Sequence, residues 1–172
     1  MLIRTKMALL ILSMFYSSFP SFVRSEIIVG RPSVIDGDTL EIRSSRFRLE
    51  GIDAPEATQT CFDALNKGYR CGQIAALALQ DFIGARVVTC EVTGIDRYKR
   101  KLAYCRVNEF DISEFMVREG LAMAFVRYSK VYVGQEDSAR KQKKGIWAGR
   151  FQAPWEYRRC RWGGGGPACS EP

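Results

Sequence analysis

Asp36-Gly-Asp-Thr-Leu-Glu-Ile-Arg-Ser-Ser-Arg-Phe-Arg-Leu-Glu-Gly-Ile-Asp53 is the stretch that sets the architecture of this chain. Asp38–Arg43 and Arg46–Ile52 each alternate apolar with polar side chains, and only Ser44-Ser45 separates them. Two alternating runs joined by two residues predict an antiparallel hairpin. With Ser44-Ser45 as the loop, Arg43 faces Arg46, Ile42 faces Phe47, and Leu40 faces Leu49. By the same register Asp38 faces Gly51 and Asp36 faces Asp53. Residues 36, 38, 40, 42, 47, 49, 51 and 53 then share one face. Leu40, Ile42, Phe47 and Leu49 make it the core face, and its open end carries three carboxylates.

Directly opposed side chains on such a face stand about 4.5–5.5 Å apart. Like charges that close, partly withdrawn from water, take up protons or demand a cation. Oxygen donors select a hard ion, Ca²⁺ or Mg²⁺, over zinc or copper. Gly51 opposite Asp38 leaves room for a ligand. Taken singly, Asp36-Gly37-Asp38 and Asp53-Ala-Pro-Glu56 are ordinary turn sequences. Their joint position at one end of one face is what points to chemistry.

Ile27–Val34 predicts a first strand, ended by the turn at Asp36-Gly37. Gly72–Ile83 predicts a helix stopped by Gly84, with a broad apolar surface from Ile74, Leu77, Ala78 and Phe82. Strands follow at Arg86–Thr93 and Lys101–Val107. Asp111 caps a short helix with Ile112, Phe115 and Met116 on one side, closed by Gly120. A charged helix covers Gln135–Lys144, and its run Arg140-Lys-Gln-Lys-Lys144 reads as a solvated face. The fold class is α+β: a five-stranded Greek-key barrel of the OB type with about three packed helices.

The 172 residues suit one domain. Arg4 and Lys6 precede the apolar run Met7–Tyr16, and Pro20 and Ser25 follow, the pattern of a secretory signal over residues 1–25. The run is short for a membrane span. Residues 26–150 form the folded domain and 151–172 a C-terminal extension, partly disordered, with a Gly-rich tail after Trp162. Within it Pro154-Trp-Glu-Tyr-Arg-Arg159 mixes aromatic and basic side chains, either extending a groove or folding back over the barrel. Cleavage after Ser25 removes Arg4, Lys6 and Arg24 and no acidic residue, so the processed chain is less basic than the full +7. A modest positive charge fits a polyanion and equally an ordinary soluble domain.

Six cysteines, all beyond the signal, suit an oxidising compartment and allow fifteen connectivities. Cys61–Cys71, Cys90–Cys105 and Cys160–Cys169 are the favoured pairs. In the second hairpin, Gly94 opposite Lys101 also sets Cys90 opposite Cys105. The chain holds no histidine, which excludes Ser-His-Asp and Cys-His mechanisms and, with no C-x-x-C pair, argues against zinc.

Val34-Ile-Asp-Gly-Asp-Thr39, Phe47-Arg-Leu-Glu-Gly-Ile-Asp-Ala-Pro-Glu56 and Asp96-Arg-Tyr-Lys-Arg100 resemble the motifs of the thermonuclease (staphylococcal nuclease-like) family, a likeness running from about Ile27 to Trp147. The resemblance implies an OB-fold and Ca²⁺-dependent hydrolysis of DNA and RNA phosphodiesters. It implies Asp38 and Asp53 as carboxylate metal ligands, with the carbonyl of Ala54 beside them where the family often has threonine. Arg48, Glu56 and Arg100 fall on its catalytic positions, and Asp36 on one that is not a direct ligand. Lys99 stands where the family often has glycine. Tyr128 matches one nucleotide-flanking tyrosine, and Val126 takes the other's place. Tyr98 and Tyr128 are candidates to stack on bases. Strand alternation alone sets Arg48 on the face opposite the three aspartates.

The expectation is therefore a secreted, periplasmic or extracellular, monomeric Ca²⁺-dependent endonuclease acting on DNA or RNA, with no stable membrane association once processed. The alternative is a catalytically silent OB module that binds nucleic acid or protein. Acidic and basic catalytic types present together favour the enzyme.

Overall fold

Proline offers no ladder donor and fixes its own φ. Pro32 accordingly divides the run expected as one strand into β1 (Glu26–Gly30) and β2 (Ser33–Asp36). The computed structural model describes residues 25–163. The expected signal segment, apart from Ser25, lies outside the described residues, as do Cys169 of the third expected disulfide and nearly all of the Gly-rich tail.

After β2 come β3 (Thr39–Ile42), β4 (Ser45–Leu49) and the short β5 (Ile52–Asp53), β6 (Cys61–Phe62) and β7 (Gly68–Tyr69). Then follow α1 (Cys71–Ile83), β8 (Val88–Ile95), β9 (Lys101–Val107) and β10 (Phe110–Asp111). The chain continues through α2 (Ile112–Arg118), β11 (Met123–Ala124), α3 (Val133–Lys141), a 3₁₀ turn over Gly145–Ala148, and α4 (Pro154–Trp162). The main sheet runs β1-β8-β9-β4-β3-β2, with β10 on β9. β1 and β2 stand at opposite ends of that order yet only Arg31-Pro32 joins them, so the sheet must curl. The result is an α+β curled half-barrel consistent with the expected OB fold, with a seven-stranded main sheet where five strands were expected and, among the described residues, four helices rather than about three.

The first hairpin differs from expectation at its turn. Arg43 and Ser44 take φ of 49° and 63°, the pair of positive angles a two-residue turn matched to strand twist requires. The loop is thus Arg43-Ser44, and Ile42 pairs with Ser45, Leu40 with Phe47, Thr39 with Arg48. Because each partner moves by two positions, the faces survive: Leu40, Ile42, Phe47 and Leu49 are all buried. The acidic pairing does not survive. Asp38 lies opposite Leu49, whose N–H donates to the Asp38 carbonyl (2.8 Å), and Asp36 pairs with Thr39 rather than Asp53. Nor is the space at Gly51 open to a ligand. Its φ is +77°, and an added Cβ would meet the ring of Tyr132 at 2.9 Å.

In the second hairpin Cys90 opposes Cys105 as expected, and the two are bonded. A bulge between Val92 and Gly94 moves Gly94 onto Leu102 instead of Lys101. Cys61–Cys71 is also formed, fixing the segment after Glu56 to the start of α1. α1 buries Ala75, Leu79 and Ile83, leaving Ile74 and Leu77 exposed, so its buried stripe is narrower than its composition suggests. Asp111 caps α2 through its Oδ1, which accepts from the Glu114 N–H (3.0 Å), and its Oδ2 accepts from the Tyr132 hydroxyl (2.9 Å). Phe82 of α1 stacks on Phe115 of α2 with ring centres 3.8 Å apart.

Candidate active site

The β2–β3 turn delivers Asp38. Asp36 Oδ1 accepts from the Asp38 N–H (2.9 Å), so Asp36 shapes the turn. Asp38 is buried, and each of its oxygens is engaged. Oδ2 accepts from the Ala54 N–H (2.8 Å); Oδ1 accepts from the Thr39 hydroxyl (3.1 Å) and from Arg48 Nη1. Asp53, fully buried, sits in β5, which is held from its other side by β11. The Ala124 N–H at that strand donates to Glu136 Oε2 (2.6 Å), so α3 fixes β11 and through it Asp53.

Arg48 joins the two acids. Its Nη2 donates to Asp53 Oδ1 (2.6 Å) while Nη1 donates to Asp38. Strict alternation placed Arg48 on the far face, and the structure corrects that. Asp38 lies in a turn and Asp53 lies beyond the positive-φ Gly51, so neither belongs to the uninterrupted ladder on which alternation depends. One planar fork thus spans both carboxylates, which face each other across it.

Burial pushes the Asp38 carboxyl up to about 7; Arg48 pulls it down, and Asp36 and Asp53 add to the rise. Burial also works against the Arg48 charge, but Asp38 and Asp53 outweigh it and hold the guanidinium above its ordinary value. Each partner therefore stabilises the other in a place where either alone would be costly.

Glu56 follows two residues after Ala54, beside Gly72 at the start of α1. A side chain at Gly72 would collide with the Glu56 carbonyl, so this close approach fixes the Glu56 backbone. Arg100 is placed differently. Its Nε and Nη2 each lie 2.8 Å from Asp96 Oδ2, and its Nη1 reaches the Thr39 hydroxyl at 3.4 Å. It thus meets the acidic pair through Thr39, which itself bonds Asp38. Tyr98 is exposed beside Arg100, whose guanidinium lies 5.5 Å from its ring centre, and both line a cavity of about 310 Å³ with Arg46, Lys99 and Lys101. Tyr128 is exposed on another loop, edge-on to Phe125 at 5.0 Å. The basic run ending α3 is not wholly free for ligands, since Lys144 pairs with Glu119 and Arg140 lies over Trp147.

One residue at the site was not anticipated. Arg158 of α4 donates from Nη1 to Asp53 Oδ1 (2.9 Å) and Glu56 Oε1 (2.9 Å), and from Nη2 to Asp53 Oδ2 (2.7 Å). Burial opposes its charge, but the bonds and charges of Asp53 and Glu56 raise its pKa above the ordinary arginine value. Pro154 at the first helical position and Glu156 in the first turn are signals from which this helix could have been read. No sequence signal marks Arg158 over Arg159.

A family profile described as staphylococcal nuclease homologue matches residues 46–149. The chain belongs to that family. Curated relatives agree. The succinoglycan biosynthesis protein ExoI of Rhizobium meliloti (strain 1021) is 39 % identical over 126 residues, covering 72 % of this chain and 66 % of its own length. A micrococcal nuclease of Shigella flexneri is 31 % identical over 144 residues, covering 73 % of this chain and 77 % of its own. An uncharacterized endonuclease of Escherichia coli O157:H7 is 30 % identical over 136 residues, covering 73 % and 82 % respectively.

In this staphylococcal nuclease homologue, α4 and its Arg158 lie beyond the segment the family profile matches. Among the described residues no group of three or more His, Cys, Asp or Glu is arranged to hold a metal ion. The donors at the site, two buried carboxylates facing one another, nevertheless fit a hard cation in chemical type. Two disulfides suit a non-cytoplasmic, oxidising compartment, and no helix among the described residues is long and apolar enough to cross a membrane.

Proposed function

We propose that this protein is a secreted, Ca²⁺-dependent endonuclease that hydrolyses phosphodiester bonds of DNA, RNA or both. The observation that carries the reading is the single guanidinium of Arg48 shared by two buried carboxylates at the rim of the barrel. Such a cluster is costly for stability alone and suits a site that must bind a cation and a phosphate together. Asp38 and Asp53, with the Ala54 carbonyl, would hold the ion. Bound Ca²⁺ supplies charge that polarises a phosphate oxygen and helps place the attacking water.

The remaining work falls to side chains of this protein. Arg48 and Arg100 offer planar N–H forks to the phosphate oxygens where negative charge develops, a geometry lysine cannot reproduce. Both stay protonated throughout, so they act electrostatically and not as acids. Glu56 orients the water and accepts its proton. Tyr98 and Tyr128, exposed on separate loops, offer ring faces for bases without demanding a sequence. The protein acts as a monomer, and removal of residues 1–25 during export leaves no stable membrane association.

Digestion of single-stranded DNA with added Ca²⁺, repeated with chelator and with Glu56→Gln, tests this. Cleavage is expected to vanish on chelation and to fall about 10²-fold or more in the variant. Cleavage that ignores the chelator would remove the proposed chemistry.

A further inference from the structure

Asp53 has its lone pairs spoken for from two directions. Oδ1 accepts from Arg48 Nη2 and Arg158 Nη1, and Oδ2 accepts from Arg158 Nη2. The same Arg158 Nη1 holds Glu56 Oε1. Arg158 therefore engages both a carboxylate that would ligate the ion and the one that would take the proton from water. A carboxylate cannot give the same lone pairs to a guanidinium fork and a divalent cation, and two cations at that separation repel strongly away from bulk water. We propose that Arg158 is a tethered counter-cation that competes with the divalent ion for Asp53, so that docking of α4 and binding of the ion exclude one another. The inference rests on the reading of Asp38 and Asp53 as the ion site.

The way α4 is held fits such an exchange. Among its anchors are Trp155, stacked on Phe125 with ring centres 5.8 Å apart and packed against the cluster of Cys61, Cys71, Met123 and Ile146, the Tyr157 hydroxyl 3.1 Å from that of Thr58, and Gln59 Nε2 donating to the Gln152 carbonyl (2.7 Å) just before the helix. Arg159, Arg161 and Trp162 face solvent, and of the whole helix only Pro154 is fully buried. A helix with one fully buried residue and the rest partly or wholly exposed opens more readily than a central strand of the sheet. A docked form that blocks the site lowers the apparent affinity for the ion in proportion to its population. Release of α4 frees Glu56 and Asp53 Oδ2 together, while Arg48 keeps its bond to Asp53 Oδ1.

The test is calorimetric titration of CaCl₂ into the full chain without nucleic acid, for wild type, Arg158→Ala and Arg158→Gln. Arg159→Ala serves as a control that removes the same charge from an exposed neighbour on the helix. Amide exchange over residues 154–162 is followed with and without Ca²⁺. Both Arg158 variants are expected to bind Ca²⁺ about tenfold or more tightly than wild type, and Arg159→Ala within about twofold of it. Saturating Ca²⁺ is expected to speed exchange in α4 of the wild type to the rate already seen in Arg158→Ala. Equal or weaker binding by both Arg158 variants, or α4 exchange indifferent to Ca²⁺, overturns the competition while leaving the ion site standing. If neither wild type nor the variants bind Ca²⁺, the reading of the acidic pair falls and takes this inference with it.

Discussion

Arg48 and Arg158 grip the same carboxylate from two parts of the chain that are built on different terms. Arg48 stands in β4, flanked by β3 and β9, and its side chain is 14 % exposed. Arg158 stands on the last helix among the described residues, outside the family-matched segment, and its side chain is 26 % exposed. The first is fixed by the sheet that makes the core. The second arrives by a helix of which only Pro154 is fully buried. A charge partner delivered by the core can be structural and functional at once, whereas one delivered by a peripheral helix can leave.

The largest effect is expected at Arg48. Arg48→Ala strands Asp38 and Asp53 in a buried setting with only Arg158 for company, and breaking a buried pair of this kind costs about 3 kcal/mol or more. Turnover on single-stranded DNA should fall about 10²-fold or more, since a developing charge loses its fork. Arg48→Lys should recover little of either, because an ammonium cannot bridge two carboxylates in one plane. Urea melts and initial rates measure both. Arg158→Ala, by contrast, removes three bonds but leaves Asp53 held by Arg48, and should cost less, about 1–2 kcal/mol. If its loss of stability equalled that of Arg48→Ala, α4 would belong to the core and the contrast between the two arginines would collapse.

Next in size is Arg100, which tests whether function can be separated from fold inside the family segment itself. Its charge is balanced by Asp96, a half-buried loop partner whose pKa falls because the bonds and charge of Arg100 outweigh its burial. No fully buried carboxylate is stranded when it goes. Arg100→Ala should therefore lower turnover about 10²-fold while changing stability by no more than about 0.5 kcal/mol. Comparing rates with melting midpoints for Arg48→Ala and Arg100→Ala would separate an arginine that does two jobs from one that does a single job. Equal destabilisation by the two would show that the loop bearing Arg100 is part of the cooperative core.

What the sequence disclosed divides along the same line. The core face of the first hairpin was legible because period-two alternation survives a turn displaced by one residue, as Leu40 and Phe47 show. The same displacement destroyed the inferred Asp36–Asp53 pairing, because opposition depends on register whereas faces depend only on parity. Arg48 was misplaced for a related reason: Gly51 at φ +77° ends the ladder before Asp53, and alternation carries no information past a break. The acidic pair and its neighbours Glu56 and Arg100 were legible through short motifs. The Cys90–Cys105 bridge followed from strand pairing and was right despite the bulge at Val92/Gly94. Arg158 was illegible, since it meets Asp53 across 105 residues and no local pattern encodes so distant a contact.

The smallest effect probes how α4 is held when its charge is left alone. Trp155 lies nearly parallel to Phe125, at 16°, and Phe125 follows β11, the partner of the strand bearing Asp53. Trp155→Ala removes this stack and keeps Arg158 intact, so α4 should dock less often without losing its grip altogether. Aromatic pairs of this kind contribute about 0.5–1.5 kcal/mol beyond their buried area, which corresponds to a few-fold rise in apparent Ca²⁺ affinity. Measured without nucleic acid, that rise is independent of any change in base stacking at Tyr128, which lies edge-on to Phe125. It should stay below the rise produced by Arg158→Ala, because one change weakens the docked form and the other removes the competing cation. A larger rise from Trp155→Ala than from Arg158→Ala would mean that the bulk of α4, and not the Arg158 guanidinium, governs access to Asp53.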